Sequence, residues 1–121
     1  NFNFIVEGRN KANPYRIGPT LQFTNGKLLV CGKEAAEIKT SQWYSVKGSL
    51  QLGPNAPKTF TLSLEECSNR IDSGKAIFQN RVFPFVHKEF DSLDWFGFIS
   101  AASSITTVDM DDTFLIQKKN D

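Results

Sequence analysis

The sequence predicts an all-β protein, an antiparallel β-sandwich. Apolar and polar residues alternate in several short runs, turn residues separate these runs at intervals of about ten residues, and no run holds helical periodicity. Short strands joined by turns are typical of sandwiches and jelly rolls rather than of alternating strands and helices. With 121 residues, the chain is expected to form a single domain, 1–121, large enough to hold a core without disulfide or metal staples.

The N-terminal third predicts one strand, a polar connection and a hairpin. The first strand covers residues 2–6 and stops at Gly8, and a polar connection follows it. Asn25-Gly26 between two apolar runs predicts a tight hairpin, because both central residues of a type I′ turn need positive φ. Residues 33–39 contain Glu-Ala-Ala-Glu, which could begin a helix but is too short to stand alone.

The middle of the chain predicts a long strand over 43–52 and its return over 58–64, where the alternation is cleanest. A polar loop follows, then two short strands over 76–78 and 82–86. Pro84 has no backbone N–H and restricts the second of these to a sheet edge or a bulge.

The C-terminal part predicts two strands, over 94–102 and 104–116, joined by a turn of small residues. In the second strand the apolar side chains share the even positions, whereas in the first Phe96 and Phe98 share one parity and Trp95 and Ile99 the other. The core predicted in this way consists of Leu21, Phe23, Leu28, Val30, Val46, Phe60, Leu62, Leu64, Phe96, Phe98 and Val108.

Charge and hydropathy exclude two classes of partner. The net charge is +1, from 14 basic and 13 acidic side chains without long runs, whereas nucleic acids and anionic membranes attract clustered Lys and Arg. No apolar run approaches the ~20 residues that span a bilayer. The chain begins with Asn1 rather than Met, so we expect a processed product or a part of a longer protein.

The two cysteines, Cys31 and Cys67, are predicted to be free thiols. If their strands and the strand between them form a simple meander, the outer strands lie about 9.6 Å apart, beyond the ~7 Å between Cα atoms that a disulfide tolerates.

Few residues could carry catalysis or bind metal. The single histidine, His87, lacks the partners of a nucleophilic triad or a zinc site. Asp109, Asp111 and Asp112 offer the hard oxygen ligands that calcium prefers; otherwise they are solvated or bonded to loop amides.

Sugar binding needs flat aromatic faces and a few planar polar groups, and five residues could supply them. The candidates are Tyr15, Arg16, Trp43, Tyr44 and Trp95. Trp43 and Trp95 sit within apolar strands, which favours core positions, whereas Tyr15 and Arg16 lie in a loop and are better surface candidates.

Four stretches in order resemble the concanavalin A-like (laminin G-type) jelly-roll modules attached to secreted bacterial glycosidases, sialidases and polysaccharide lyases. They are residues 18–28 (GPTLQFTNGKL), 42–46 (QWYSV), 58–62 (KTFTL) and 93–98 (LDWFGF) continued through 108–112 (VDMDD). The resemblance implies a jelly roll and a structural calcium near the last strand. Since such modules usually have further strands upstream, it also implies that the chain is either the C-terminal part of such a domain, with N-terminal strands missing, or a shortened version of one. The family's acidic residue falls on Asp111, whereas alternation puts Asp112 in the apolar row, which a bulge would reconcile.

Catalytic members of that fold class carry Glu-x-Asp-x-(x)-Glu on one strand, and residues 89–94 (EFDSLD) come near this pattern. Retaining hydrolysis needs carboxyl groups about 5 to 5.5 Å apart, so a bulge would have to bring Glu89 and Asp94 to one face, and the last residue is Asp rather than Glu. A charged loop before the next strand explains the same residues.

The sequence therefore favours a non-catalytic accessory module of a secreted or envelope protein, which binds carbohydrate or packs against an adjacent catalytic domain. One alternative is a fragment of a hydrolase or lyase that uses Glu89 and Asp91. The other is a structural or adhesion module without a glycan ligand.

Overall fold

The computed structural model describes residues 3–69, 74–100 and 110, and it confirms the β-sandwich. Eight strands are described: β1 (Asn3–Arg9), β2 (Ile17–Thr24), β3 (Lys27–Val30), β4 (Lys33–Glu37), β5 (Trp43–Leu50), β6 (Thr59–Cys67), β7 (Lys75–Pro84) and β8 (Trp95–Ser100). Sheet A has the order β4-β3-β2-β1-β8 and sheet B the order β5-β6-β7, with every pairing antiparallel. Nothing in the described part of the chain forms a helix able to cross a membrane. The jelly-roll topology stays a prediction.

The predicted hairpin joins β2 to β3. Asn25 and Gly26 have φ of 47° and 81°, the positive values that a type I′ turn requires, and Thr24 pairs with Lys27 across the turn. The hairpin prediction is confirmed.

Residues 33–37 form strand β4 at the edge of sheet A and do not begin a helix. Ala36 pairs with Leu28 of β3 and, like Ala35, packs against the core. Pairing with an adjacent strand outweighs the helix propensity of Glu and Ala over so short a segment.

The two short strands predicted after the polar loop are one strand, β7. The polar residues between them are accommodated by irregular pairing with β6, where Asn80 adopts a φ of 50° and donates its backbone N–H to Ser63 Oγ at 2.9 Å. β7 is an edge strand among those described and ends at Pro84, as its proline predicts.

The core lies between the two sheets and includes one irregular segment. Its buried apolar side chains are Leu21, Leu28, Val30, Phe60, Leu62, Leu64, Phe83, Phe85 and Phe90. Phe23 packs against them partly buried. The predicted parity of β6 is confirmed, because alternate residues from Phe60 to Leu64 are buried while Thr59, Thr61 and Ser63 are not.

The predicted burial of three core side chains is wrong. Val46, Phe96 and Phe98 are 41%, 42% and 40% exposed. Each has the predicted parity, since Val46 pairs with Leu64 and Phe98 with Val6, but each lies on an outermost described strand of its sheet. Val108 and the strand predicted over 104–116 fall outside the described residues, apart from the exposed Met110.

Both cysteines are free, as predicted, but the simple meander on which the argument was conditional is not observed. β3, which Cys31 follows, belongs to sheet A, whereas Cys67 ends β6 in sheet B. The Cys31 thiol donates to the Pro84 carbonyl oxygen at 3.3 Å.

Candidate functional site

Tyr15 and Trp95, both sugar-binding candidates, meet at the cation of Arg9. The guanidinium carbon lies 4.2 Å from the centre of the Tyr15 ring and 4.4 Å from that of Trp95. The two aromatic residues remain 45% and 41% exposed. The core position favoured for Trp95 is therefore wrong, and two accessible rings flank one fixed cation.

This group lies on the outer face of sheet A. Glu7 and Arg9 are two residues apart on β1 and share a face, opposite to Val6, which packs against the core. Their partners on β8 are Gly97 and Trp95, which therefore lie on the same outer face.

Glu7 is only 7% exposed although it points away from the core. Its carboxylate accepts a hydrogen bond from Arg9 Nε at 2.6 Å, which compensates for the loss of solvent around the charge. This ion pair between Glu7 and Arg9 fixes the orientation of the Arg9 side chain from its buried side.

Gly97 leaves room for the Trp95 indole to lie over the strand. A Cβ atom built on Gly97 would lie 2.6 Å from Trp95 Cη2, well inside van der Waals contact. The indole therefore occupies the space where any other residue would place its side chain, next to Glu7.

An open depression of about 420 Å³ is lined by residues that follow Arg9 and Tyr15 in sequence. It is lined by Asn10, Lys11, Ala12, Arg16, Glu89, Asp91 and Ser92. These residues come from the loop between β1 and β2 and from the segment that precedes β8. Arg16, another sugar-binding candidate, thus lines this depression and directly follows Tyr15 in sequence.

The Asn10 side chain holds the loop between β1 and β2 in its conformation through hydrogen bonds to the loop backbone. It is 7% exposed, and its side-chain oxygen accepts the backbone N–H groups of Ala12 at 3.2 Å and Arg16 at 2.8 Å. Its amide nitrogen donates to Asp91 Oδ1 at 3.4 Å, which ties the loop to the opposite wall of the depression.

The second wall, residues 85–94, is anchored on the start of β2. The backbone N–H of Ile17 donates to His87 Nδ1 at 2.8 Å, and the His87 N–H donates to the Ile17 carbonyl at 2.9 Å. Phe90 is fully buried against Gly18, where a Cβ would overlap its ring. A buried ring and paired hydrogen bonds therefore hold the segment in place.

Asp94 links the two walls next to Trp95. Its carboxylate accepts the backbone N–H of Lys11 at 3.0 Å and the Ser92 hydroxyl at 2.6 Å, and its own N–H donates to the Arg9 carbonyl at 2.9 Å.

Other sequence candidates lie elsewhere. Tyr44 is on β5 in sheet B, partly buried, with its hydroxyl accepting the Lys39 N–H at 2.7 Å, and Trp43 begins the same strand. Asp109, Asp111 and Asp112, the calcium candidates, fall outside the described residues, and the described part of the chain contains no cluster of three or more potential metal-ligating side chains.

The strand placement on which the catalytic pattern depends is not observed. Glu89 lies in a turn and Asp91 in irregular chain, and β8 begins only at Trp95. Both carboxylates nevertheless line the depression.

Sequence analysis missed Glu7, Arg9 and Gly97. Arg9 and Trp95 are 86 positions apart, and only the pairing of the first described strand with the last brings them together. The spacing of Glu7 and Arg9 was a usable signal, since two opposite charges at i and i+2 on a strand share one face.

No family model, curated protein or solved structure matches the chain. The site must therefore be interpreted from its own chemistry. It combines two exposed rings, a guanidinium that contacts both and an open depression lined mainly by polar residues, which suits a ligand with both apolar faces and many hydroxyl groups.

Proposed function

We propose that the protein is a non-catalytic accessory module of a secreted or cell-envelope protein and that it binds carbohydrate at the outer face of sheet A. The observation that supports this most is the contact of Arg9 with the exposed rings of Tyr15 and Trp95, whose neighbours in sequence, Asn10 and Arg16, line the depression. Pyranose rings stack on aromatic faces through their C–H groups, while their hydroxyls bond planar polar side chains such as Arg and Asn.

The shape of the site favours binding over chemistry. The depression is open rather than enclosed, and catalysis gains most in sites that exclude water. An open surface can instead accept an internal stretch of a polysaccharide.

Retention on immobilised glycans tests this function. Tyr15→Ala and Trp95→Ala should each weaken retention by about tenfold, the loss expected when one aromatic contact of ~1.4 kcal/mol is removed. Phe98→Ala is the matched control, because Phe98 lies on the same strand, is 40% exposed and points to the opposite face. Equal effects of Phe98→Ala and Trp95→Ala would contradict the assignment of the site.

A second candidate function, packing against an adjacent catalytic domain, is favoured by a different surface. Phe96 and Phe98 are exposed on the core side of β8, and the Phe98 ring stacks on Phe4 with centroids 5.8 Å apart. A folded protein that binds no glycan would favour this function or a structural and adhesive role.

The enzymatic alternative has its own test. Glu89→Ala and Asp91→Ala would abolish glycan cleavage if the chain were part of a hydrolase or lyase that uses these carboxylates. Unchanged cleavage in both variants would eliminate that alternative.

A further inference from the structure

We propose that Arg9 is the principal hydrogen-bond donor to the glycan and that the site selects uncharged glycans over acidic ones. This inference rests on the proposed carbohydrate-binding function and adds to it both a ligand-contacting residue and a ligand class.

The Arg9 side chain is held in a single orientation, but not all of its N–H donors have partners among the described residues. Its Nε is committed to Glu7 at 2.6 Å, and the rings of Tyr15 and Trp95 contact the guanidinium. Of the five N–H donors of an arginine, four therefore remain on Nη1 and Nη2, and neither atom has a hydrogen-bond partner among the described residues.

These donors can reach a ligand. The Arg9 side chain is 23% exposed, and the residues that follow Arg9 and Tyr15 in sequence line the depression. A sugar stacked on either ring would bring its hydroxyl or ring oxygens to the edge of the guanidinium, where a fixed donor loses little entropy on binding.

The charge around Arg9 opposes an acidic ligand. The Glu7 carboxylate neutralises the guanidinium from the buried side. The site and its walls carry three cations, Arg9, Lys11 and Arg16, against four carboxylates, Glu7, Glu89, Asp91 and Asp94.

On the walls of the depression Lys11 and Arg16 only balance Glu89 and Asp91, so a uronate carboxylate would meet no excess of positive charge there to compensate for the loss of its hydration. Hydroxyl groups carry no charge to desolvate, and they can both accept from Arg9 and donate to the carboxylates. The donor and the surrounding acceptors are thus complementary to a neutral polyol surface.

Isothermal titration with the whole chain tests the inference, using neutral oligosaccharides (β-glucan, xylan and mannan fragments) and uronate oligosaccharides (alginate and pectin fragments). The protein should bind a neutral member at least about tenfold more tightly than any uronate. Affinity for the neutral member should change less than twofold between about 0.05 and 0.5 M salt, because no ligand charge is involved.

Arg9→Lys keeps the charge but removes the planar set of donors, and it should weaken neutral binding by about five- to tenfold. Arg81→Lys is the matched control, because Arg81 also contacts two rings, those of Phe78 and Phe83, but belongs to sheet B. Glu7→Gln should narrow the preference for neutral ligands, since it removes the carboxylate that neutralises Arg9. Thermal melts of all three variants identify any loss of folded protein.

The outcomes distinguish a failure of this inference about Arg9 and neutral glycans from a failure of the proposed carbohydrate-binding function. Preferential binding of a uronate, or unchanged neutral binding by a folded Arg9→Lys variant, would overturn the inference and leave carbohydrate binding intact. Failure to bind any glycan of either class would overturn the proposed function together with the inference.

Discussion

Gly97 positions Trp95 by having no side chain. The indole lies where a Cβ would otherwise project, on the strand position that pairs with the buried Glu7. The orientation of the ring on the outer face of sheet A thus depends on a residue that contributes no atom to the binding surface.

Gly97→Ala should displace the indole and weaken glycan retention by about tenfold, because the new methyl group would overlap the ring. Gly48→Ala is the control, since a Cβ there meets its nearest neighbours at an ordinary 3.5 Å. Trp fluorescence in a Trp43→Phe background reports Trp95 alone and should change only in the Gly97 variant. Unchanged retention and fluorescence would show that the ring does not depend on this glycine.

The Cys31 thiol should react slowly at neutral pH. Burial raises the pKa of Cys31, and a backbone hydrogen bond with Thr20 opposes this more weakly. Since the folded state holds the proton more tightly, the free energy of unfolding should fall as the pH rises from the unfolded-state pKa through the higher folded-state pKa.

Alkylation rates and denaturant unfolding, followed from neutral to alkaline pH, test this behaviour of Cys31. Cys31→Ser provides the reference, because it lacks the ionising thiol. A rate at neutral pH equal to that of a model thiol would show that Cys31 is not protected.

Calcium binding by Asp111 or Asp112 stays a prediction with a direct measurement. Added calcium should raise the melting temperature through preferential binding to the folded state, and EDTA should lower it. Asp111→Asn combined with Asp112→Asn should abolish the difference. Identical melting curves of the unmodified chain in calcium and in EDTA would exclude the site.

At the scale of strands, the sequence predicted correctly the features that are encoded by residues close together in the chain. The Asn25-Gly26 turn and the alternation from Phe60 to Leu64 are local patterns, and both predictions are confirmed. The burial of Val46 and Phe98 was wrong, because alternation predicts the face of a sheet but not whether a strand at its edge is covered.

The candidate site shows the same division. Tyr15 and Arg16 were predicted as surface residues from their loop, which is a local property. The spacing of Glu7 and Arg9 predicts that they share a face, but the contact of Arg9 with Trp95 could not be predicted, because it follows from the pairing of β1 with β8, which are distant in sequence.

Two truncations test whether the stability contributed by a side chain depends on its burial and not only on the face of the sheet that it shares. Leu64→Ala should cost about 2 to 5 kcal/mol, since the side chain is fully buried between the sheets. Val46→Ala should cost less than about 1 kcal/mol, although Val46 pairs with Leu64 and shares its face, because Val46 is 41% exposed. Urea unfolding gives both values, and equal losses would mean that β5 is covered in solution.

For the whole molecule, the two sheets differ in how their strands are connected along the chain. Among the described strands, those of sheet B are consecutive, whereas sheet A takes four strands from the first part of the chain and one, β8, from much later. The irregular segment 85–94 leads from sheet B back to sheet A and supplies Phe85 and Phe90 to the core between them.

The position of β1 between β2 and β8 has a consequence for the order of folding. During synthesis the β1–β2–β3–β4 meander can form soon after it leaves the ribosome, but the second edge of β1 waits until Trp95–Ser100 has emerged. At about 5 to 20 residues per second, the nearly 60 residues between β4 and β8 take several seconds to make. Throughout that interval one edge of β1 is unpaired and open to association with other nascent chains, and Arg9 and Trp95 have not yet been brought together.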